Sequence, residues 1–427
     1  MDKFVINGGR PLYGTMQPSG NKNAALPMMA ACLLTEEPVI LHNMPNIKDT
    51  QTMRKLLESL GMEIEVMENS SSWRLQAKSI TPSDLDPDLC RQIRASILIA
   101  GPMIARFGDL ELPPPGGDVI GRRRVDTHVL ALEKLGAKFR FNGVFDFKAE
   151  KLQGADILLD EASVTATENT IMAAVLAKGT TTIRNAASEP HIQELCKMLN
   201  AMGAGIQNIG SNTLVIEGKD RLHGAEVTIG PDYLEVISFV GAAVVTHGEI
   251  RIKNTGVEHL SMIKMVLRRL GVDMIFVGDD ILVGANQRLV IEPDLGNAIP
   301  EISVMPWPAF PTDLMSIAIV IATQSTGTIL FHDWMYPSRM FFTDKLVSMG
   351  AQIVLCDPHR CIVNGPTRLN AEKLDSPDIR AGIALVLAAL SANGRSTIRN
   401  VSQIDRGYER IEQKLRELGA DISREVA

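Results

Sequence analysis

The sequence predicts an α/β protein of two domains, each assembled from three copies of one repeated unit. Three observations carry this expectation. A helix ending in Leu-Gly or Met-Gly and followed by a strand-like run occurs six times, at Leu60-Gly61, Leu135-Gly136, Met202-Gly203, Leu270-Gly271, Met349-Gly350 and Leu418-Gly419. These endings recur about every seventy residues, which marks internal duplication. The helices before them are amphipathic, as in Ile192, Leu195, Leu199 and Met202, or Tyr408, Ile411, Leu415 and Leu418. Finally, β-like runs closing on a polar turn precede them, as in Gly179–Asn185, Gly248–Asn254, Gly394–Asn400 and Val39–Asn43.

Each element follows from its residues. The glycine after each amphipathic helix suits a C′ position, where φ turns positive. Upstream lies a second, more apolar helix, predicted at Asn23–Leu34, Asn169–Ala177, Tyr233–Thr246 and Ile379–Ala392. The unit is therefore strand–helix–strand–helix–strand–strand, and such units bury their apolar helices against one another. Gly and Pro mark Pro18–Gly20 and Gly230–Asp232 as the crossings between two sets of three. The expected domains are 21–230, and 1–20 with 231–427, the strand Phe4–Asn7 completing the second. Ligands commonly bind between domains, so the cleft is the expected active site.

Composition narrows the function. The 427 residues are 45% hydrophobic and 22% charged, as expected of a globular protein. A net charge of −7 and only 4% aromatics argue against a nucleic-acid surface. The longest apolar runs, Ile317–Ala322 and Ile383–Leu390, are too short to span a bilayer. Five scattered cysteines give no disulfide framework, and the first residues lack a signal-peptide layout, so a cytoplasmic location is expected. The residues set no oligomeric state.

One stretch carries the densest chemistry. In Leu112–His128, three prolines stiffen the approach, Gly116, Gly117 and Gly121 free the tip, and Asp118 sits within it. Three arginines, Asp126 and His128 follow. A stiff stalk, an acidic tip and a cationic base describe a lid over an anion. An ordinary surface loop with a solvated charge run would read the same way.

Several motifs in order decide between these. Ser19–Pro27 (SGNKNAALP), Arg94-Ala95-Ser96, Pro311-Thr312-Asp313, Asp378-Ile379-Arg380 and Asp405–Arg410 (DRGYER) are similar to the signatures of the UDP-N-acetylglucosamine 1-carboxyvinyltransferase family of enolpyruvyl transferases. The similarity runs from Asp2 nearly to the end, all six repeats in register. It implies two inside-out, barrel-like α/β domains closing over both substrates. It also implies transfer of the enolpyruvyl group of phosphoenolpyruvate to the 3′-hydroxyl of UDP-N-acetylglucosamine, the first committed step of peptidoglycan precursor synthesis, with no organic cofactor or metal.

The residue types suit that chemistry. Phosphoenolpyruvate carries a phosphate and a carboxylate, and the acceptor a diphosphate, so the site needs fixed cations, preferably arginine forks. Lys22, Arg94, Arg123, Arg339, Arg380 and Arg406 come from different repeats. By resemblance Lys22, Arg123 and Arg406 bind phosphoenolpyruvate, with Arg94 and Arg339 nearby and Asn23 on the phosphoenolpyruvate or sugar side. The uridine side falls to Arg123, Arg124, Val125, Asp126, Thr127, His128, Ser163, Val164 and Met335. Asp118 occupies the family's lid position, where cysteine is commoner, and is the expected proton donor to the methylene carbon. A carboxylate there is also a poor target for epoxides that alkylate the lid thiol. Asp313 is the expected base beside the attacking hydroxyl, although its setting would equally suit a helix cap. Asp378 beside Arg380 reads as an orienting ion pair.

The chain departs from the family at four places. Arg124 replaces a common proline, Leu98 a tryptophan, Glu161 a lysine and Thr165 a glycine. Glu161 near a diphosphate is repulsive, and Arg124 is the expected compensation. A different UDP-sugar, shikimate 3-phosphate as acceptor, or a UDP-sugar-binding homologue without turnover remain alternatives. Cys356–Cys361 (CDPHRC) could hold a metal but reads better as a hairpin turn between Gln352–Leu355 and Ile362–Asn364.

Overall fold

The computed structural model describes residues 2–68, 71–81, 85–117, 120–121 and 123–426. They form two compact units, one from 20–118 and 123–230, the other from 1–19, 119–122 and 231–427. Each unit has its own continuous apolar core.

The repeated unit is plainest at Asp156–Leu158, Val164–Ala174, Thr180–Arg184, Pro190–Ala201, Gly205–Gln207 and Thr213–Glu217, in the order strand, helix, strand, helix, strand, strand. Thr180–Arg184 pairs parallel with the first strand and antiparallel with the last, which returns antiparallel to Gly205–Gln207. The described strands form six small sheets, five of four strands and one of three, and this mixed pairing recurs. The N-terminal strand Lys3–Asn7 lies antiparallel between Arg395–Arg399 and Asp421–Glu425, closing the sheet of the last repeat as expected.

All six repeat glycines have positive φ, from 84° at Gly271 to 104° at Gly350. The Leu or Met before each is buried and seals the outer helix onto its sheet. Asn43, Asn185, Asn254 and Asn400, which end the β-like runs, also have φ between 50° and 59°, a conformation asparagine tolerates better than most residues.

The apolar helices are the inner layer. In one unit Tyr233–Val245, Met315–Gln324 and Ile379–Ser391 pack on one another, and every residue of the first is buried. Gly241 permits the approach, because a Cβ there would stand 2.7 Å from Leu387 Cδ2 and 2.9 Å from Ile317 Cγ2. In the other unit, Lys22–Ala31, Arg94–Phe107 and Val164–Ala174 do the same work.

Two helices start elsewhere than predicted. The one expected from Asn169 begins at Val164, because Ser163 caps it and Thr167 and Thr170 turn their hydroxyls onto the carbonyls four residues back. The last helix begins at Ile411 and leaves Tyr408 outside, because Arg410 takes a left-handed conformation with φ 46°. The 356–361 segment is a hairpin turn between Gln352–Asp357 and Arg360–Gly365, as the spacing suggested. No helix among the described residues is long and apolar enough to cross a membrane.

Candidate active site

In the unit that contains residues 231–427, three predicted residues converge. Asp313 lies on the 3-10 turn Thr312–Leu314 that leads into helix Met315–Gln324. Its Oδ1 accepts from Arg339 Nη2 at 2.8 Å, and its Oδ2 from Arg380 Nε at 3.3 Å. Both arginines are buried, whereas the Asp313 side chain keeps 28% of its exposure. Two guanidinium groups thus fix one carboxylate that remains partly exposed.

Burial opposes the charge on Arg380, but the nearby Asp313 carboxylate outweighs it and holds the guanidinium firmly charged. Arg339 is held charged by the same balance. Arg380 Nη1 also reaches Tyr408 Oη at 3.4 Å, and that hydroxyl meets Ser238 Oγ at 2.9 Å. Burial pushes the Tyr408 phenol up to about 12, so it remains a neutral donor at ordinary pH. Arg339 Nε is buried and has no hydrogen-bond partner among the described residues. An unanswered N–H on a buried cation is a ready donor to an anionic ligand.

Asp378 caps a helix. Its Oδ1 accepts the backbone N–H of Arg380 at 2.8 Å and of Ala381 at 2.9 Å, capping helix Ile379–Ser391. The cap aims the first turn, and the Arg380 guanidinium reaches Asp313. Arg406 ends the turn Val401–Arg406, half-buried, with Nη1 on Gln403 Oε1 at 3.1 Å. Met335 is half-buried in the turn after strand Gly327–His332.

In the other unit, Lys22 opens helix Lys22–Ala31, capped by Asn21, which accepts the N–H of Asn23 at 2.8 Å. The Lys22 ammonium is buried and pairs with Asp49 at 2.5 Å. Gly117, at φ 105°, lets the chain pass close to two cations. A Cβ on it would stand 2.9 Å from Arg94 Cβ and 3.4 Å from Arg123 Nη1. Arg94 donates to the carbonyl of Arg124 at 2.7 Å, so Arg94, Arg123 and Arg124 are brought together. Ser163 and Val164 form the N-terminus of Val164–Ala174, where the dipole favours an anion.

Two expectations in this unit need correction. Arg124 does not offer a free charge against Glu161, because it is held between Asp126 at 3.2 Å and Asp160 at 3.0 Å. Thr127 donates to Asp160 at 2.6 Å, which with Arg124 holds that carboxyl below the usual range. His128 is not part of a cationic surface. Burial, with the charge of Arg94 adding to it, pushes the imidazole down to about 3. Its Nδ1 accepts from Asn169 at 2.8 Å, which places the proton on Nε2, opposite Thr165 Oγ1 at 3.0 Å. Thr165, where the family commonly has glycine, is thus the partner of a structural histidine. Glu161 is exposed and Leu98 buried. Asp118 lies outside the described residues. A shallow cavity of about 770 Å³ lies beside Arg124, Val125, Asp126 and Asp160, walled by Phe139, Phe141 and Phe145.

Sequence reasoning did not single out Asp49, Asp160, Ser238 or Asp333 as site residues. Tyr408 was visible only as part of its motif. The others had no local signal, since each meets the site through a partner distant in the chain.

The sequence and the fold match one known group. The family model for EPSP synthase (3-phosphoshikimate 1-carboxyvinyltransferase) matches residues 6–415. The chain belongs to that family. It is 56% identical over 422 residues to a UDP-N-acetylglucosamine 1-carboxyvinyltransferase of Bradyrhizobium diazoefficiens, covering 99% of this chain and 98% of that one. It is 53% identical over 422 residues to the protein of that name from Treponema denticola, covering 99% of each. Among solved structures, the enolpyruvyl transferase NikO from Streptomyces tendae superposes with a TM-score of 0.89 at 24% identity, covering 100% of this chain and 99% of that one. EPSP synthase from Acinetobacter baumannii gives 0.76 at 16%, over 100% of each chain. These two likenesses establish the fold.

Proposed function

We propose that this chain transfers the enolpyruvyl group of phosphoenolpyruvate to the 3′-hydroxyl of UDP-N-acetylglucosamine and releases phosphate, as the first committed step of peptidoglycan precursor synthesis. The observation that carries this reading is the Asp313 carboxylate, held by Arg339 and Arg380 and still 28% exposed. Relatives named for this transfer at 56% and 53% identity over nearly the whole chain support the choice of acceptor.

The reaction assigns work to each group. Asp313 takes the proton of the 3′-hydroxyl as its oxygen bonds to C2 of phosphoenolpyruvate. The partial exposure of Asp313 lets that hydroxyl approach its carboxylate. Asp118 gives a proton to the methylene carbon, making it a methyl group. Return of a methyl proton to the Asp118 carboxylate then expels phosphate and restores the double bond, and the proton on Asp313 leaves with the phosphate, so atoms and charge balance. Lys22, Arg94, Arg123 and Arg406 hold the phosphate and carboxylate of phosphoenolpyruvate, and Arg339 offers its buried Nε–H on the sugar side. Asn23, Arg124, Val125, Asp126, Thr127, Ser163, Val164 and Met335 frame the nucleotide sugar. His128, held neutral, belongs to the same frame. A soluble, cytoplasmic setting fits such substrates.

The test is the product itself. Incubation with phosphoenolpyruvate and UDP-N-acetylglucosamine should yield a nucleotide sugar heavier by one enolpyruvyl group, with its 3′-carbon resonance shifted. An unmodified nucleotide sugar after prolonged incubation would overturn the reading.

A further inference from the structure

Asp333 ties three distant stretches of the chain together beside the Asp313 cluster. It follows strand Gly327–His332 and is fully buried. Its Oδ1 accepts the backbone N–H of Met335 at 3.0 Å and of Tyr336 at 3.1 Å, closing that turn. Its Oδ2 accepts the hydroxyl of Thr312, the residue immediately before Asp313. Its backbone pairs in both directions with His359: the Asp333 N–H donates to the His359 carbonyl at 2.8 Å, and His359 Nδ1–H donates to the Asp333 carbonyl at 2.7 Å.

His359 is itself held. It stands at the tip of the hairpin Gln352–Gly365, where Asp357 Oδ1 accepts the N–H of His359 and of Arg360, each at 2.8 Å. The Cys356–Cys361 segment therefore buttresses Asp333. The turn that Asp333 closes leads straight to Arg339, whose N–H donates to the Tyr336 carbonyl at 3.1 Å and whose guanidinium lies 5.4 Å from the centre of the Tyr336 ring. Asp333 thus braces Asp313 from the Thr312 side and braces Arg339, a donor to the same carboxylate, from the other.

We propose that Asp333 is a positioning residue for the transfer step, fixing Asp313 through the Thr312 hydroxyl and Arg339 through the Met335–Tyr336 turn. This deepens the function proposed above and rests on it. A base must be held to within a fraction of an ångström of its productive place, and small misplacements cost up to about a hundredfold in rate. The 3-10 turn carrying Asp313 has no side-chain cap of its own, so the Thr312–Asp333 bond is the brace next to it.

The test compares Thr312→Val, which keeps the shape and removes the hydroxyl, with Thr312→Ser, which keeps the hydroxyl. Thr312→Val should lower kcat by about 10- to 100-fold, with the KM of both substrates within about threefold and a modestly lowered melting temperature, because a buried Asp333 oxygen loses its donor. Thr312→Ser should return kcat to within about threefold of the parent. Asp333→Asn, which keeps an oxygen for the turn but loses the charge, should fall between them. A Thr312→Val enzyme with parental kcat would overturn this inference alone, as would equal losses in the Val and Ser variants. A parent enzyme that makes no enolpyruvyl product would overturn both it and the reaction on which it rests.

Discussion

Replacing Asp313 by Asn separates the chemical and structural parts of the account. An Asn oxygen can accept from Arg339 or Arg380, but its amide N–H₂ must then face the other guanidinium, donor against donor. Both arginines are about 5% exposed or less, so one buried cation loses its answer. Breaking a fully buried pair costs about 3–5 kcal/mol. Asp313 is 28% exposed, and water can reach the gap, so the expected loss is about 1–3 kcal/mol. Removing a general base costs about 10²- to 10⁴-fold in kcat, or about 3–5 kcal/mol of barrier. Steady-state phosphate release and the urea midpoint, read on the same preparation, give both numbers. The expected outcome is a kcat lowered by at least about 100-fold, a modestly lowered midpoint and little change in the KM for phosphoenolpyruvate. A variant within tenfold of the parent kcat would refute Asp313 as the base, whatever its stability.

Three further outcomes are expected. His128 has a folded pKa of about 3 against 6.5 for the free side chain, so the unfolded chain binds the extra proton between those values; its contribution is full above about 6.5 and is lost as pH falls towards about 3. His128→Gln should therefore show a smaller drop in urea midpoint between pH 7 and pH 4.5, and an identical drop would contradict the assignment. Arg424 bonds Asp405 at 2.6 and 3.0 Å and Glu412 at 3.0 and 3.2 Å, next to Arg406; Arg424→Met should lower the melting temperature and raise the KM for phosphoenolpyruvate, with Arg424→Lys intermediate. Asp118→Asn should bind the nucleotide sugar normally and not turn over, by calorimetry and phosphate release, whereas Asp118→Cys should gain sensitivity to a thiol-alkylating epoxide.

Much of the fold was legible because its punctuation is local. A glycine that must take positive φ after a helix, or an asparagine that must do so after a strand, declares itself at one position, and all six glycines and four asparagines do so. Helix starts were less legible where residues face two ways. Tyr408 fits the apolar stripe of the last helix, but its phenol serves Ser238 and Arg380, and the chain breaks at Arg410 to allow it. In the candidate site, the convergence of Asp313, Arg339 and Arg380 was foreshadowed by motifs. The detailed partnerships were not, because Asp378 could pair with a neighbour's side chain or its backbone, and only the fold selects the helix cap. Likewise the charge on Arg124 reads as free until Asp160, far along the chain, closes on it. Asp333 was invisible, since Thr312 and His359 are 21 and 26 residues away.

The central claim is the choice of acceptor by an enolpyruvyl transferase, and it is tested most directly by phosphate release from phosphoenolpyruvate with each of two acceptors. With purified protein, release should occur with UDP-N-acetylglucosamine and stay at background with shikimate 3-phosphate. Release with shikimate 3-phosphate alone would contradict the account, and release with neither acceptor would contradict it more completely.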